Sequence, residues 1–403
     1  MPTWELAVGA TSASTFSTTN RFSPPAGFLT ASLTETHQQV KVYSSYTWAN
    51  LYARCLTWAT ANHVIRSRIG AVNGNMTVTV TGTGVFQDTV NTDSLVDQNL
   101  INWILESSTG NKSYAMLGST LQDTGSNITL QMNNQQSGGT NITFGITRFA
   151  PISGRLISAT GAASTETNVQ YTIRRATTYS NLRAFVGTNT FDGATTWNFR
   201  INAGAGAQSL SIGAGLTGAF EDTTNTDAVA VGDEINYSIV TTASTSGVII
   251  VPLSQLKHTS TSRETASAQP IGVAVAADRF FGAEGQCAEQ SSEANSQIAA
   301  RATFTANNLF VNITAHGASS GVDGFFRVNG ANSALTVNIP ASTTGLFEDT
   351  TNSVSVAVAD TYNYFLDHGG GVGTITPTII GMAQGLGGAR RRVGYGAGRA
   401  IHL

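Results

Sequence analysis

The chain has 403 residues, of which 41% are hydrophobic and only 11% charged, with a net charge of −3. That length accommodates two to four domains with real cores, and the charge balance excludes general nucleic-acid or membrane affinity. No run of about 20 apolar residues occurs, so no transmembrane helix is expected.

The polar fraction is dominated by Ser, Thr, Asn, Gln and Gly. Thr suits a pleated surface, and Gly and Asn supply turn geometry, so strands and turns are expected rather than solvated helices. Lys41, Lys112 and Lys257 are the only lysines. Lysine commonly guards exposed sheet edges, so its scarcity predicts edges covered by neighbours. The arginines suit interfaces, since the planar guanidinium bonds carboxylates in pairs. Both features favour an obligate assembly.

The N-terminus, MPTWELAVGATSAS, lacks a basic segment followed by an apolar core and does not read as a signal peptide. Synthesis in a cytoplasm is expected. RFSPPAGFL (21–29) and RFAPISGRL (148–156) share a start and read as linkers, with a looser third junction around AQPIGVAV (268–275). The stretch YTWANLYARCLTWATANHVI (46–65) has helical spacing at Trp48, Leu51, Tyr52, Cys55 and Leu56. Its counterparts later in the chain read as strands, and a strand is favoured here too.

Three segments align internally: 82–105, 215–240 and 343–366. Phe86, Phe220 and Phe347 each stand two residues before an Asp, at Asp88, Asp222 and Asp349. Asn91, Asn225 and Asn352 follow three later, then Asn99, Asp233 and Asp360 at eleven. Asn102, Asn236 and Asn363 come at fourteen, each before an aromatic residue. Upstream, Arg66, Arg200 and Arg327 lie 22 residues before the Asp, and Asn-Leu recurs at 50–51, 181–182 and 308–309. Spacings of 134 and 127 residues between the Asp positions make the repeat a whole domain.

Alternation in MTVTVTG (76–82), SLSIG (209–213) and LTVNI (335–339) predicts half-buried strands. The predicted fold is all-β: three tandem β-sandwich domains, jelly-roll-like, from an internal repeat. The first spans 1–146, with an N-terminal arm and an extra hairpin over 126–146. The second spans 147–269 and the third 270–387. A basic Gly/Arg tail occupies 388–403, with Arg390, Arg391, Arg392 and Arg399 as a possible docking arm.

The repeat acids tempt a catalytic reading, but an enzyme rarely needs one site three times. They are expected to accept backbone amides in Asx turns or to pair with the repeat Arg. A calcium site from Asp222, Asp227 and Asp233 has no counterpart in the third copy, where Val354 replaces Asp227. The six His residues share no repeat position, and no HExxH, CxxC, GxSxG or Walker-type pattern occurs. Cys55 and Cys287 form no disulfide framework and read as buried thiols. No catalytic residue, metal or cofactor is expected.

The pattern NGANSALTVNIPASTTGLFEDTTNSVSVAVADTYNYFL (329–366) resembles small jelly-roll modules of tailed-phage virion proteins, of capsid-decoration and fibre type. The resemblance covers about 40 residues of each copy. It implies a non-enzymatic structural protein of a virion, made in a host cytoplasm. Its partners would be other virion proteins or copies of itself, in an oligomer or lattice, with no direct nucleic acid and no membrane. Such modules commonly trimerise, so three fused copies give either a pseudo-threefold unit or a linear rod. The alternatives are a glycan-binding array, with Trp48, Trp58, Trp103 and Trp197 stacking on sugars, and an extracellular filament subunit.

Overall fold

The computed structural model describes residues 3–9, 19–29, 32–59, 61–123, 127–135, 141–156, 162–260, 262–268, 274–285 and 289–386. Among them there is no α-helix, only strands and three single 3₁₀ turns. Arg390, Arg391, Arg392, Arg399 and Cys287 lie outside the described residues.

Twenty-four principal strands fall into three sets of eight. The first unit contains β1 (Thr3–Gly9), β2 (Arg21–Ser23), β3 (Tyr46–Thr57), β4 (His63–Ile69), β5 (Val72–Val80), β6 (Gly84–Leu95), β7 (Leu100–Leu105) and β8 (Ser113–Asp123). The second contains β9 (Ile128–Asn134), β10 (Thr147–Ala150), β11 (Thr177–Val186), β12 (Thr195–Ile201), β13 (Gly204–Ile212), β14 (Gly218–Val229), β15 (Glu234–Val240) and β16 (Leu253–Thr259). The third contains β17 (Ser262–Ala268), β18 (Arg279–Phe281), β19 (Phe304–His316), β20 (Val322–Val328), β21 (Ala331–Ile339), β22 (Gly345–Val356), β23 (Thr361–Asp367) and β24 (Ile375–Leu386).

In the first unit one sheet runs β1-β8-β3-β6 and the other β2-β7-β4-β5. The second and third units repeat both orders strand for strand. Two four-stranded antiparallel sheets in this order make a jelly roll. The second unit adds a small sheet of strands 142–143, 248–250 and 188–189.

This topology moves the unit boundaries. The first strand of each unit pairs with its last, so a unit begins well before its repeat segment. Strand β9, assigned above to an extra hairpin of the first unit, pairs along its whole length with β16 of the second. Likewise RFSPPAG and RFAPISG are not linkers. Each forms the second strand and then a turn toward the neighbouring units, and RFFGAEG (279–285) is their third copy.

The helical spacing in 46–65 has a local cause. In β3, Tyr46 and Trp48 alternate inward, then Leu51, Ala53 and Cys55 do. Between them Asn50 sits at φ 60° in a bulge opposite Asp88. The extra residue shifts the alternation by one, so a strand pattern acquires a three-residue step. Asn181 and Asn308 form the same bulge at φ 54° and 51°, which explains the recurrent Asn-Leu pair. Asn adopts this left-handed conformation more readily than other side chains.

Each unit encloses one core, and each core borrows apolar residues from the next unit. Leu130, Met132 and Leu253 of the second unit complete the first core. Ala266, Ala268, Phe310 and Ile379 of the third complete the second. Ala7, Tyr52, Ala115 and Met116 of the first complete the third. The borrowing is cyclic, so the three sandwiches close head to tail around a pseudo-threefold axis within one chain. Gly27, Gly154 and Gly285 mark it, at φ 95°, 84° and 115°. A Cβ on Gly27 would lie 3.5 Å from Gly154 O, one on Gly154 2.6 Å from Gly285 O, and one on Gly285 2.9 Å from Gly27 O.

Candidate functional site

The repeat residues build local structure before anything else. Asp88, Asp222 and Asp349 are buried where β6, β14 and β22 bulge outward. Asp222 accepts the amides of Ser209 (3.0 Å), Thr224 (3.1 Å) and Asn225 (3.0 Å), plus the Asn225 side-chain amide. Asp88 does the same with Thr77, Val90 and Asn91, and Asp349 with Thr336, Thr351 and Asn352. Burial alone would raise these pKa values. The converging N–H donors outweigh it and hold all three carboxyls below the usual carboxylate range. Asx-turn acceptance is therefore the role observed.

These acids also fix a bulge in a long edge strand that contains no lysine. A bulged edge resists pairing with a foreign strand, so the edge is guarded by geometry rather than by charge. Phe86, Phe220 and Phe347 pack half-buried against the three cores. Asn102, Asn236 and Asn363 are fully buried, each donating to the carbonyl of the next aromatic residue.

The arginines need two corrections. Their partners are not the repeat Asp residues but glutamates in the 3₁₀ turns. Arg200 donates from Nε and Nη2 to the two oxygens of Glu166, and Arg327 binds Glu293 at 2.6 and 3.3 Å. In the first unit the equivalent residue is Arg68, not Arg66. Arg68 stands opposite Asn73 in its hairpin, as Arg200 stands opposite Ala205 and Arg327 opposite Asn332. It binds Glu35 with two contacts of 2.9 Å. The loop after β5 covers only 81–83, against 213–217 and 340–344 in the other units, and so displaces a count taken from the Asp. Arg66 instead pairs with Glu106 at 2.6 Å. Each bidentate clasp ties a 3₁₀ turn to a hairpin tip and contributes about 1 kcal/mol.

The calcium constellation does not assemble. Asp227 accepts the amides of Ala207 and Gln208, whereas Asp233 accepts Ala230 N and the Asn202 amide. Asp93 plays the Asp227 role in the first unit, binding Asn75 N. A Cβ on Gly74 or Gly206 would meet these carboxylates at 2.6 to 2.8 Å. In the third unit Val354 replaces the acid, and Ser333 accordingly replaces the glycine. Among the described residues no three metal-ligating side chains converge.

The chemistry absent from the repeat motif lies at the seams between units. One position, Tyr43, Arg174 or Arg301, reaches in turn to the next unit. Arg174 pairs with Glu348, and Arg301 bonds Gln87 and covers the Tyr52 ring. At the remaining seam Lys41 binds Glu221 at 2.8 Å, and the Tyr43 hydroxyl faces Asn181 O at 3.5 Å. All three seams run in the same cyclic direction.

At the axis Arg263 is fully buried and bridges all three units. It donates to Leu130 O (3.2 Å), to Glu5 O (2.9 Å) and to both oxygens of Glu284. Burial pushes the Glu284 carboxyl up, against the pull of the Arg263 charge. Glu5 accepts Arg301 N, Ala302 N (2.7 Å) and the Tyr362 hydroxyl (2.8 Å). Burial outweighs these donors and raises Glu5 to about 7. Glu264, at the same place in β17, is likewise raised by burial while it accepts the Arg174 amide. Arg263 and Glu284 have no like counterpart in the other units, so a search for recurring side chains passes over them.

Trp48, Trp103 and Trp197 are fully buried, so they do not stack on an external sugar. No family model matches the chain, and no curated protein matches it.

Proposed function

We propose that the chain is a non-enzymatic structural component of a virion, a capsid decoration or a tail or fibre part, acting as a single-chain pseudo-trimer. The observation that carries this reading is the cyclic closure of three jelly rolls. Their repeated acids, amides and arginines hold turns, bulges and hairpin tips together rather than line one cleft. A fused trimer occupies a threefold position as one chain while offering three non-identical outer faces. The partners implied are other virion proteins or further copies of the chain in a lattice.

A filament built from the same seams is disfavoured, because a head-to-tail interface that closes on itself has no open end. Mass spectrometry of purified particles, followed by imaging of the intact virion, tests the proposal. The chain should be present in stoichiometric amount at a threefold position. Its absence from purified particles would overturn the reading.

A further inference from the structure

The three seams are built alike, yet they are not equally filled. At the seam from the first unit to the second, the His37 ring packs on Phe185 with centroids 5.4 Å apart, and Lys41 spans to Glu221. The equivalent residues at the seam from the second unit to the third are Asn168, Asn312 and Thr172, all smaller. At the seam from the third unit to the first, Arg54 stands where Asn312 does. The shortened side chains leave a cleft of about 340 Å³ at the second seam, between the 3₁₀ turn Glu166–Asn168 and strands β19 and β22.

Its lining has a definite chemistry. Thr167, Asn168, Gln170, Asn312 and Thr314 supply hydroxyls and amides, and Glu234 is the sole ionisable side chain. Asn312 is fixed by its bond to Thr167 O at 2.8 Å, so the floor is preformed. Ile313 and Leu346 add an apolar strip. Amides and hydroxyls both donate and accept, as sugar hydroxyls do, and a carboxylate beside them can accept two neighbouring hydroxyls. The lining has no cation to hold a phosphate or a carboxylate. The volume lies at the small end of ligand sites, matching one or two sugar rings.

We propose that this seam binds a neutral saccharide. The site is carried by the unequal filling of the seams and does not depend on where the protein resides. The test screens the full chain against an array of neutral hexoses, N-acetylhexosamines and their disaccharides, with sialylated and phosphorylated sugars alongside, and titrates hits by calorimetry. The variant Asn168→His with Asn312→Phe rebuilds the filling of the first seam. It should lose binding by about tenfold or more while its thermal midpoint holds or rises. Glu234→Gln, which alters no seam packing, should weaken binding about tenfold. The proposal is overturned if no neutral sugar binds, if charged sugars bind in preference, or if binding survives both variants.

Discussion

Gly154→Ala strikes the ring where its three turns approach most closely. Gly154 sits at φ 84°, where a side chain adds about 1 kcal/mol of backbone strain. The new methyl would lie 2.6 Å from Gly285 O and 2.9 Å from Ala268 N, both backbone atoms of the third unit. Neither can swing away as a flexible side chain does, so the axis must open slightly, costing a further ~1–3 kcal/mol. Gly232→Ala is the control. Gly232 has φ 94° with nothing within 4 Å of its added Cβ, and Ala359 occupies the same turn in the third unit at φ 73°. It should lose only the backbone term, about 1 kcal/mol. Equilibrium urea unfolding, read by the fluorescence of the buried tryptophans, measures both. Gly154→Ala should fall below the control by ~1–3 kcal/mol. Equal losses would mean that the turns do not meet at an axis, and the reasoning would fail.

Three further outcomes follow from the seams and the repeat. Arg263→Met leaves Glu284 buried without its partner and should cost ~3–5 kcal/mol in denaturant unfolding, with much of the loss recovered when Glu284→Leu is added. Glu5 has its folded-state pKa raised from 4.5 to about 7, so its contribution to stability is fully present below 4.5 and lost as pH rises through about 7. Glu5→Gln should flatten the thermal midpoint across that window, while an unchanged pH profile would count against the burial of the Glu5 carboxyl at the axis. Gly206→Ser collides with Asp227 and should cost ~1–3 kcal/mol, whereas Gly206→Ser with Asp227→Val copies the third unit and should restore most of it, as a double-mutant cycle will show.

The all-β class and the three-copy register could be read directly from the chain, because the Phe, Asp and Asn positions recur at constant offsets. The Asp residues were also correctly expected to accept backbone amides, since that chemistry is local to a turn. What escaped is non-local. The Arg register slipped in the first unit because a two-residue loop difference lies between Arg68 and Asp88. Strand β9 fell on the wrong side of a boundary because it pairs with β16, far along the chain. Glu35, Glu166 and Glu293 recur at the same spacing as the Asn-Leu pairs, each after Ser or Thr, but they lie outside the aligned segments, and their partners become evident only when the hairpin tips fold onto them. Arg263 and Glu284 serve the axis by being unlike their counterparts, and Glu5 recurs only as Glu264, with Leu130 at that place in the second unit. A repeat search discards such residues, whereas a buried arginine beside a buried glutamate becomes conspicuous only in three dimensions.

Small-angle X-ray scattering of the purified chain addresses ring closure most directly, because the two arrangements of three jelly rolls differ in size. Closed around the axis, a compact chain of 403 residues should give a radius of gyration of about 22 Å. The same units strung end to end would give about 30 Å or more, and that value would contradict the pseudo-trimer and the proposals built on it.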